Sequence, residues 1–177
     1  MPRPRGRRIS ESAKRSEFQD RVLEIRRVTR VTAGGKRFSF RATVVVGDLR
    51  GRVGVGIGKG LDVADAVRKG KRQGEKNIIH VPLVQKRTIP FDVEAKFSAA
   101  RVRLKPARSN HGLIAGGASR AVLELAGVKD VSAKILGRTK NMLANAQATI
   151  VALQKLSKIP LREDNVQKQP EIKKETV

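Results

Sequence analysis

Arg52-Val53-Gly54-Val55-Gly56-Ile57-Gly58-Lys59-Gly60 places β-branched residues at 53, 55 and 57 and glycine at 54, 56, 58 and 60. Side chains alternate between the faces of a strand, so one face of this one packs and the other is bare backbone. A bare face lets a helix or neighbouring strand pack closely, or lets an RNA backbone approach; both readings stand at this level. Upstream, Asp48 to Gly51 form a turn, and before it Phe38, Phe40, Ala42, Val44 and Val46 share one face of a second strand. Residues 22 to 28 alternate in a first strand, and Thr32-Ala33-Gly34-Gly35 joins the two as a hairpin. Downstream, Asp62 opens a helix whose Val63, Ala66, Val67, Gly70, Gly74 and Ile78 recur at helical spacing and would cover the sheet. Lys69, Arg72 and Lys76 form a cationic stripe on its other side, and His80 is expected at the helix end as a capping or interface residue.

Pro82 and Pro90 bracket a linker, after which Ile89, Phe91, Val93, Ala95 and Phe97 alternate and Val102 and Leu104 continue in a second strand. Gly116-Gly117 precede a helix with Val122, Leu125 and Ala126 inward and Gly127 as its stop. Val131, Ala133 and Ile135 then alternate, and Asn141 caps a last helix through about Ser157, with Leu143, Ala146, Ile150 and Leu153 on one face. The pattern predicts an α+β fold with a basic arm over 1–16, a first domain over 17–81 and a second over 82–160. The first is an antiparallel sheet plus a helix; the second is a sheet with two helices. Residues 161–177 are polar and aperiodic and read as a disordered tail.

The 177 residues hold 39 Lys+Arg against 16 Asp+Glu, a formal charge of +23. Six cations and one acid fall in residues 1–16, fifteen and seven in 17–81, fourteen and four in 82–160, and four and four in the tail. The excess therefore persists through both folded regions, which points to a polyanionic partner. Nothing approaches the roughly 18 consecutive apolar residues that span a bilayer, and the first residues lack the apolar stretch of a secretory signal, so a soluble, cytoplasmic protein without a membrane partner is expected. The Arg-rich start also fits an organelle transit peptide, against which the density of Pro and Gly in RPRGRR argues.

Enzymatic chemistry has no visible centre. The chain has no cysteine and two histidines, His80 and His111, on separate domains, so neither a nucleophile–base pair nor a metal site is expected. Ser109 near His111 is a loop neighbour. Asp92 and Glu94 share a strand face and are expected in salt bridges rather than acid–base catalysis. The glycine run fails the Walker pattern, because Val53 and Gly60 occupy the positions that need Gly and Ser/Thr, and it fails the dinucleotide fingerprint at Lys59. No cofactor is expected. With no Trp or Tyr and five Phe, three of them in core patterns, the chain lacks a stacking platform for single-stranded bases. Phosphate and shape readout of folded RNA fits better, with a DNA- or RNA-architectural protein as the alternative. Candidate phosphate contacts are Arg3, Arg5, Arg7 and Arg8 in the arm, then Arg52, Lys59, Lys69 and Arg72, with Lys105 and Arg108 in the second domain.

The stretch from Gly35 to Asp48, GKRFSFRATVVVGD, and that from Gly51 to Lys59, GRVGVGIGK, closely resemble the bacterial ribosomal protein S five family. Lys105-Pro106-Ala107 and Gly112 to Val128, GLIAGGASRAVLELAGV, resemble the family's second-domain signature. The resemblance covers about Phe18 to Leu156. It implies a first domain related to double-stranded-RNA-binding folds and a second, two-layer α/β domain of the type named after this family. It also implies a non-catalytic place in the small ribosomal subunit where head meets body, with contacts to small-subunit rRNA and to ribosomal proteins four and eight. Messenger RNA near its entrance tunnel and a part in translational accuracy belong to the same implication. Thr32, Ala33, Gly34 and Gly35 match the loop near the spectinomycin site, which carries RNA contact onto Lys36 and Arg37; Arg120 matches a position near the protein interface. No homo-oligomer is expected. The chain departs from the family at Asn110-His111-Gly112, where Gly-Thr-Gly is common, and at Ala64, where proline is common.

Overall fold

The computed structural model describes residues 17–158. In chain order these form β1 (Gln19–Thr32), β2 (Gly35–Gly47), β3 (Arg52–Gly60), α1 (Val63–Lys76), β4 (Ile79–His80), β5 (Val93–Phe97), β6 (Ala100–Pro106), β7 (Leu113–Ile114), α2 (Gly117–Leu125), β8 (Val131–Ile135) and α3 (Met142–Lys158). The expected arm over 1–16, with Arg3, Arg5, Arg7 and Arg8, and the expected tail lie outside the described residues. Two four-stranded sheets result, in the orders β1-β2-β3-β4 and β5-β6-β8-β7. The first is antiparallel throughout; in the second only β7 and β8 run parallel. The α+β class, with one helix on the first sheet and two on the second, is as the pattern predicts.

The glycine face of β3 resolves in favour of close helix packing. A Cβ on Gly54 would lie 2.3 Å from the Gly74 carbonyl oxygen, one on Gly56 2.1 Å from that of Gly70, and one on Gly58 closer still to that of Ala66. Helix α1 answers with its own small residues, since Ala66, Gly70 and Gly74 are its buried positions. Two helical glycines each cost about 1 kcal/mol relative to Ala, and the close helix–strand contact is what they permit. With its bare face covered by α1, β3 has no backbone surface there for RNA. Ala42, Val44 and Val46 of β2 complete this small core with Ala66.

The opposite face of the same sheet is buried too. Val45, Val53 and Val55 join one continuous core with Val93, Val102, Leu104, Val122, Leu153 and others of the second half. The turn after β2 reaches under α2, where the amide N–H groups of Leu49 and Gly51 donate to the carbonyls of Leu125 (3.0 Å) and Ala126 (2.9 Å). These carbonyls end the helix and have no partner within it, so the turn caps α2 from the other half of the chain. Gly127 stops the helix at φ +81, as expected, and lies against Leu49. The layers are therefore α1, first sheet, α2 with α3, second sheet.

Four local expectations need correction. Helix α1 ends at Lys76, so Ile78 and His80 are not helical; His80 pairs with Arg52 as part of the short strand β4. Phe38 is 48% exposed rather than core, because the β1–β2 hairpin runs on past α1. The strand expected from Ile89 begins at Val93, after Pro90, which has no N–H for a ladder; Ile89 is buried all the same. Leu113 and Ile114, to which the pattern assigns no element, form the short β7. By contrast Asn141 caps α3 as expected, its Oδ1 accepting the Leu143 N–H at 3.1 Å.

Candidate nucleic-acid interface

The β1–β2 hairpin turns at Ala33-Gly34, with Thr32 opposite Gly35 and Gly35 at φ +121. That tight turn sets the register of everything behind it. Arg30 stands directly opposite Arg37, and Arg26 opposite Arg41. Across the next strand Arg41 stands opposite Lys59, so Arg26, Arg41 and Lys59 form one row over three strands. Alternation puts all five on the face away from α1, continuous with the Val45–Val55 surface that the second half covers. Neighbouring strands lie about 4.8 Å apart, and like charges directly opposite destabilise a sheet. Only Arg26 has an acid beside it, Glu24 at 2.6 Å; the other four carry no ion pair among the described residues.

The expected contact residues divide across this frame. Arg37 and Lys59 share the cationic face, Lys59 opposite Arg41 and Arg37 four residues further along β2. Lys36 lies on the reverse face, opposite Val31, where the Arg27 guanidinium stacks over the Phe38 ring at 4.5 Å. Thr32, Ala33, Gly34 and Gly35 form the tip, where the Thr32 hydroxyl donates to the Gly35 carbonyl at 3.1 Å. Arg52 is held by structure: its Nε donates to Asp48 at 2.5 Å and its guanidinium lies 5.0 Å from the centre of the Phe18 ring. Lys69 and Arg72 are exposed on α1, on the far side of the sheet from the row. Lys105 and Arg108 are exposed in the second half, and Arg120 is exposed on α2, beside an open pocket of about 490 Å³ that Leu49, Leu113 and Lys129 also line. Arg26, Arg30 and Arg41 are additions that sequence reasoning missed; pairing the hairpin back from its turn would have found them.

The acids serve the scaffold. Asp92 binds Arg103 at 2.7 Å and Glu94 binds Arg101, as expected for that strand face. The Arg103 guanidinium holds the Asp92 carboxyl below its ordinary range. Asp130 is buried; its carboxylate accepts from the Arg87 Nε at 2.8 Å and from the Gly112 N–H at 3.0 Å, and both bonds lower its pKa. Burial pushes the Asp48 carboxyl up, but the Arg52 guanidinium and the Arg50 and Arg52 amides outweigh it and leave it lowered. Asp48, Asp92, Glu94 and Asp130 are thus each tied to an arginine of the scaffold. His111 is exposed on a loop, and no group of three metal-ligating side chains occurs among the described residues. No helix among them is long and apolar enough to cross a membrane.

Comparison with known proteins agrees with this architecture. The family model described as ribosomal protein S5, N-terminal domain, matches residues 18–82, and that described as ribosomal protein S5, C-terminal domain, matches residues 95–164. Small ribosomal subunit protein uS5c of Emiliania huxleyi is 49% identical over 86% of this chain and 95% of its own. Small ribosomal subunit protein uS5 of Synechococcus elongatus is 54% identical over 81% of this chain and 79% of its own. That of Acaryochloris marina is 53% identical over 81% and 80%. A glycine-faced strand under a small-residue helix, a second sheet backed by two helices, and two family models matched in the same order leave one assignment: the chain belongs to the ribosomal protein S5 family.

Proposed function

We propose that this chain is a structural constituent of the small ribosomal subunit that binds its rRNA through phosphate and shape contacts. The observation that carries the reading is the Arg26–Arg41–Lys59 row with the Arg30–Arg37 pair beside it. Like charges set in register repel one another in the free protein, and phosphates between them reverse the sign of that interaction. Arg and Lys that neutralise phosphates release condensed counterions, so affinity falls steeply with salt. The role is mechanical and electrostatic rather than catalytic: the protein steadies the head of the subunit against its body, borders the entrance of the messenger RNA and supports accuracy of translation. Ribosomal proteins four and eight are its protein neighbours, with Arg120 at that interface, and the Thr32–Gly35 tip lies near the antibiotic-proximal RNA. The names of the relatives support the small subunit, and sequence resemblance supports the finer placement.

The test is sedimentation of the tagged chain from its own cells at moderate salt, with and without ribonuclease. Ribonuclease-sensitive travel with intact small subunits is the expected result. Sedimentation as free protein, or with DNA, refutes the reading.

A further inference from the structure

Beside the open pocket at Arg120 lies a buried carboxylate that the phosphate row does not use. Asp130 is buried, and Arg87, from the segment between the two halves, donates to it from Nε at 2.8 Å. The same carboxylate accepts the Gly112 N–H at 3.0 Å. Arg87 reaches on to Asn110, a terminal guanidinium nitrogen donating to the Asn110 Oδ1 at 3.0 Å. Asn110 and Gly112 both stand at positive φ, +67 and +80. A non-glycine residue in that region is uncommon and persists where its surroundings hold it. From the other direction, the Arg87 carbonyl accepts the N–H groups of Lys129 (2.8 Å) and Asp130 (3.1 Å), and the Thr88 hydroxyl donates to the Asp130 carbonyl at 2.6 Å. One ion pair thus fixes two stretches of backbone, the loop over 108–112 and the turn at 129–130.

Those two stretches carry the rim of the pocket. Leu113 follows Gly112, Lys129 precedes Asp130, and both line the pocket with Arg120. The Gly112 carbonyl accepts the Val131 N–H at 3.3 Å, and Leu113 stands opposite Val131 in the parallel β7–β8 pair. The Leu113 carbonyl in turn accepts from the Arg120 guanidinium at 3.5 Å. From this chain of bonds we infer that Arg87 and Asp130 are positioning residues for the protein interface at Arg120, setting where Leu113, Lys129 and Arg120 stand against one another. The inference rests on the interface role proposed for Arg120 and adds the device that shapes it. Ordering a loop and its side chains at the moment of binding costs affinity, and a rim ordered beforehand avoids that cost. Removing either member of the pair leaves a charge or the buried Gly112 N–H without its partner, so the loop is released to find water.

The experiment is a double-mutant cycle on the full chain, read as its affinity for small subunits from the same cells washed free of it with concentrated salt. Arg120→Ala is expected to weaken binding about tenfold in the parent, the size of an arginine anchor at an interface. In the Arg87→Gln and Asp130→Ala backgrounds, where the rim is already released, the same substitution is expected to cost less than about twofold. Arg41→Gln, on the phosphate row, is expected to cost one and the same factor in all three backgrounds. A pair that serves stability alone lowers the melting temperature and leaves Arg120→Ala at its full effect in every background; that result overturns the inference. Loss of the Arg41→Gln effect in the variant backgrounds overturns it too, because the pair then acts on the whole chain. Arg87→Gln keeps the test decisive if Asp130→Ala does not fold, since the Arg87 side chain is 40% exposed. Arg120→Ala without effect in the parent refutes the interface proposed for Arg120 and the inference with it, whereas a parent chain that does not bind the washed subunits refutes the proposed function itself.

Discussion

Gly56→Ala tests the packing that decides the first half. The added methyl group falls 2.1 Å from the Gly70 carbonyl oxygen and 2.3 Å from the Gly74 nitrogen, where ordinary contact begins at 3.4 Å. Both neighbours are backbone atoms, so no side-chain rotation relieves the overlap and α1 has to retreat by roughly 1 Å. A gap of about 0.5–1 Å forfeits a quarter to a half of the dispersion wells across it. Behind that gap lies a small core in which Val44 and Val46 are the largest fully buried side chains. Burial of each is worth about 1.5–3 kcal/mol, so their partial loss costs about 1–3 kcal/mol, and strain in the shifted backbone adds about 1–3 kcal/mol. Against this, alanine restricts the unfolded chain and returns about 0.4–1 kcal/mol. The net expectation is a destabilisation of about 1–5 kcal/mol, or roughly 2–20 °C in melting temperature. Urea unfolding followed by far-ultraviolet circular dichroism reads it, with Gly34→Ala as the control, since nothing lies within 4 Å of a Cβ there. A Gly56→Ala midpoint equivalent to less than about 0.5 kcal/mol from the parent refutes the reasoning, because that is the range of surface substitutions.

Three further outcomes follow from the same structure. Arg41→Gln removes the centre of the cationic row, so the free protein gains about 0.2–1 kcal/mol while its RNA affinity falls and the salt slope drops by about one; thermal melting and a salt titration of RNA binding read the opposite signs. Asp130→Asn keeps an acceptor for Gly112 and loses the charge facing Arg87. Because the folded pKa of Asp130 is lowered, its contribution is complete above the unfolded value of about 3.9 and is lost as pH falls through the folded one; the variant is less stable at pH 7, and the gap closes in acid, as urea midpoints at both ends will record. Gly127→Ala forces a side chain onto φ +81 and onto the Leu49 carbonyl at 2.2 Å, so the two halves part; amide exchange at Leu49 and Gly51 should accelerate, and unchanged protection there would refute the capping role of that turn.

Elements with strong periodicity were legible in the sequence, and those defined by what packs on them were not. The alternation of β2, the Gly127 stop and the Asn141 cap each depend on a local rule and appear where expected. The glycine run of β3 was ambiguous because a bare strand face suits a helix or an RNA backbone equally; only the matching Gly70 and Gly74 on α1 separate the two, and they come close through the fold. Ile78 continues the helical spacing toward His80, yet the chain leaves α1 at Asn77 to pair with β3, a long-range contact that local periodicity does not carry. Arg37 follows from the family resemblance and Lys59 from its charge. Their partners Arg26, Arg30 and Arg41 stand beside them only through strand register, which local sequence does not display.

The placement of that row also explains why β2 is buried on both faces. Three opposed cationic pairs, two across β1–β2 and one across β2–β3, work against folding, each by about the size of a favourable cross-strand pair, a few tenths to 1 kcal/mol. Free β-hairpins are marginal in water, so the arginines need a strand anchored elsewhere. β2 provides it: Val44 and Val46 enter the core under α1, while Val45 enters the core shared with the second half. At about 1.5–3 kcal/mol for each buried valine, these three exceed the repulsion of the row they support. Loss of α1 would uncover Val44 and Val46 and leave Val45 alone, at about 1.5–3 kcal/mol, against a repulsion of similar size. The second half thus stabilises the cationic hairpin through the continuous core that Val45 shares with α2.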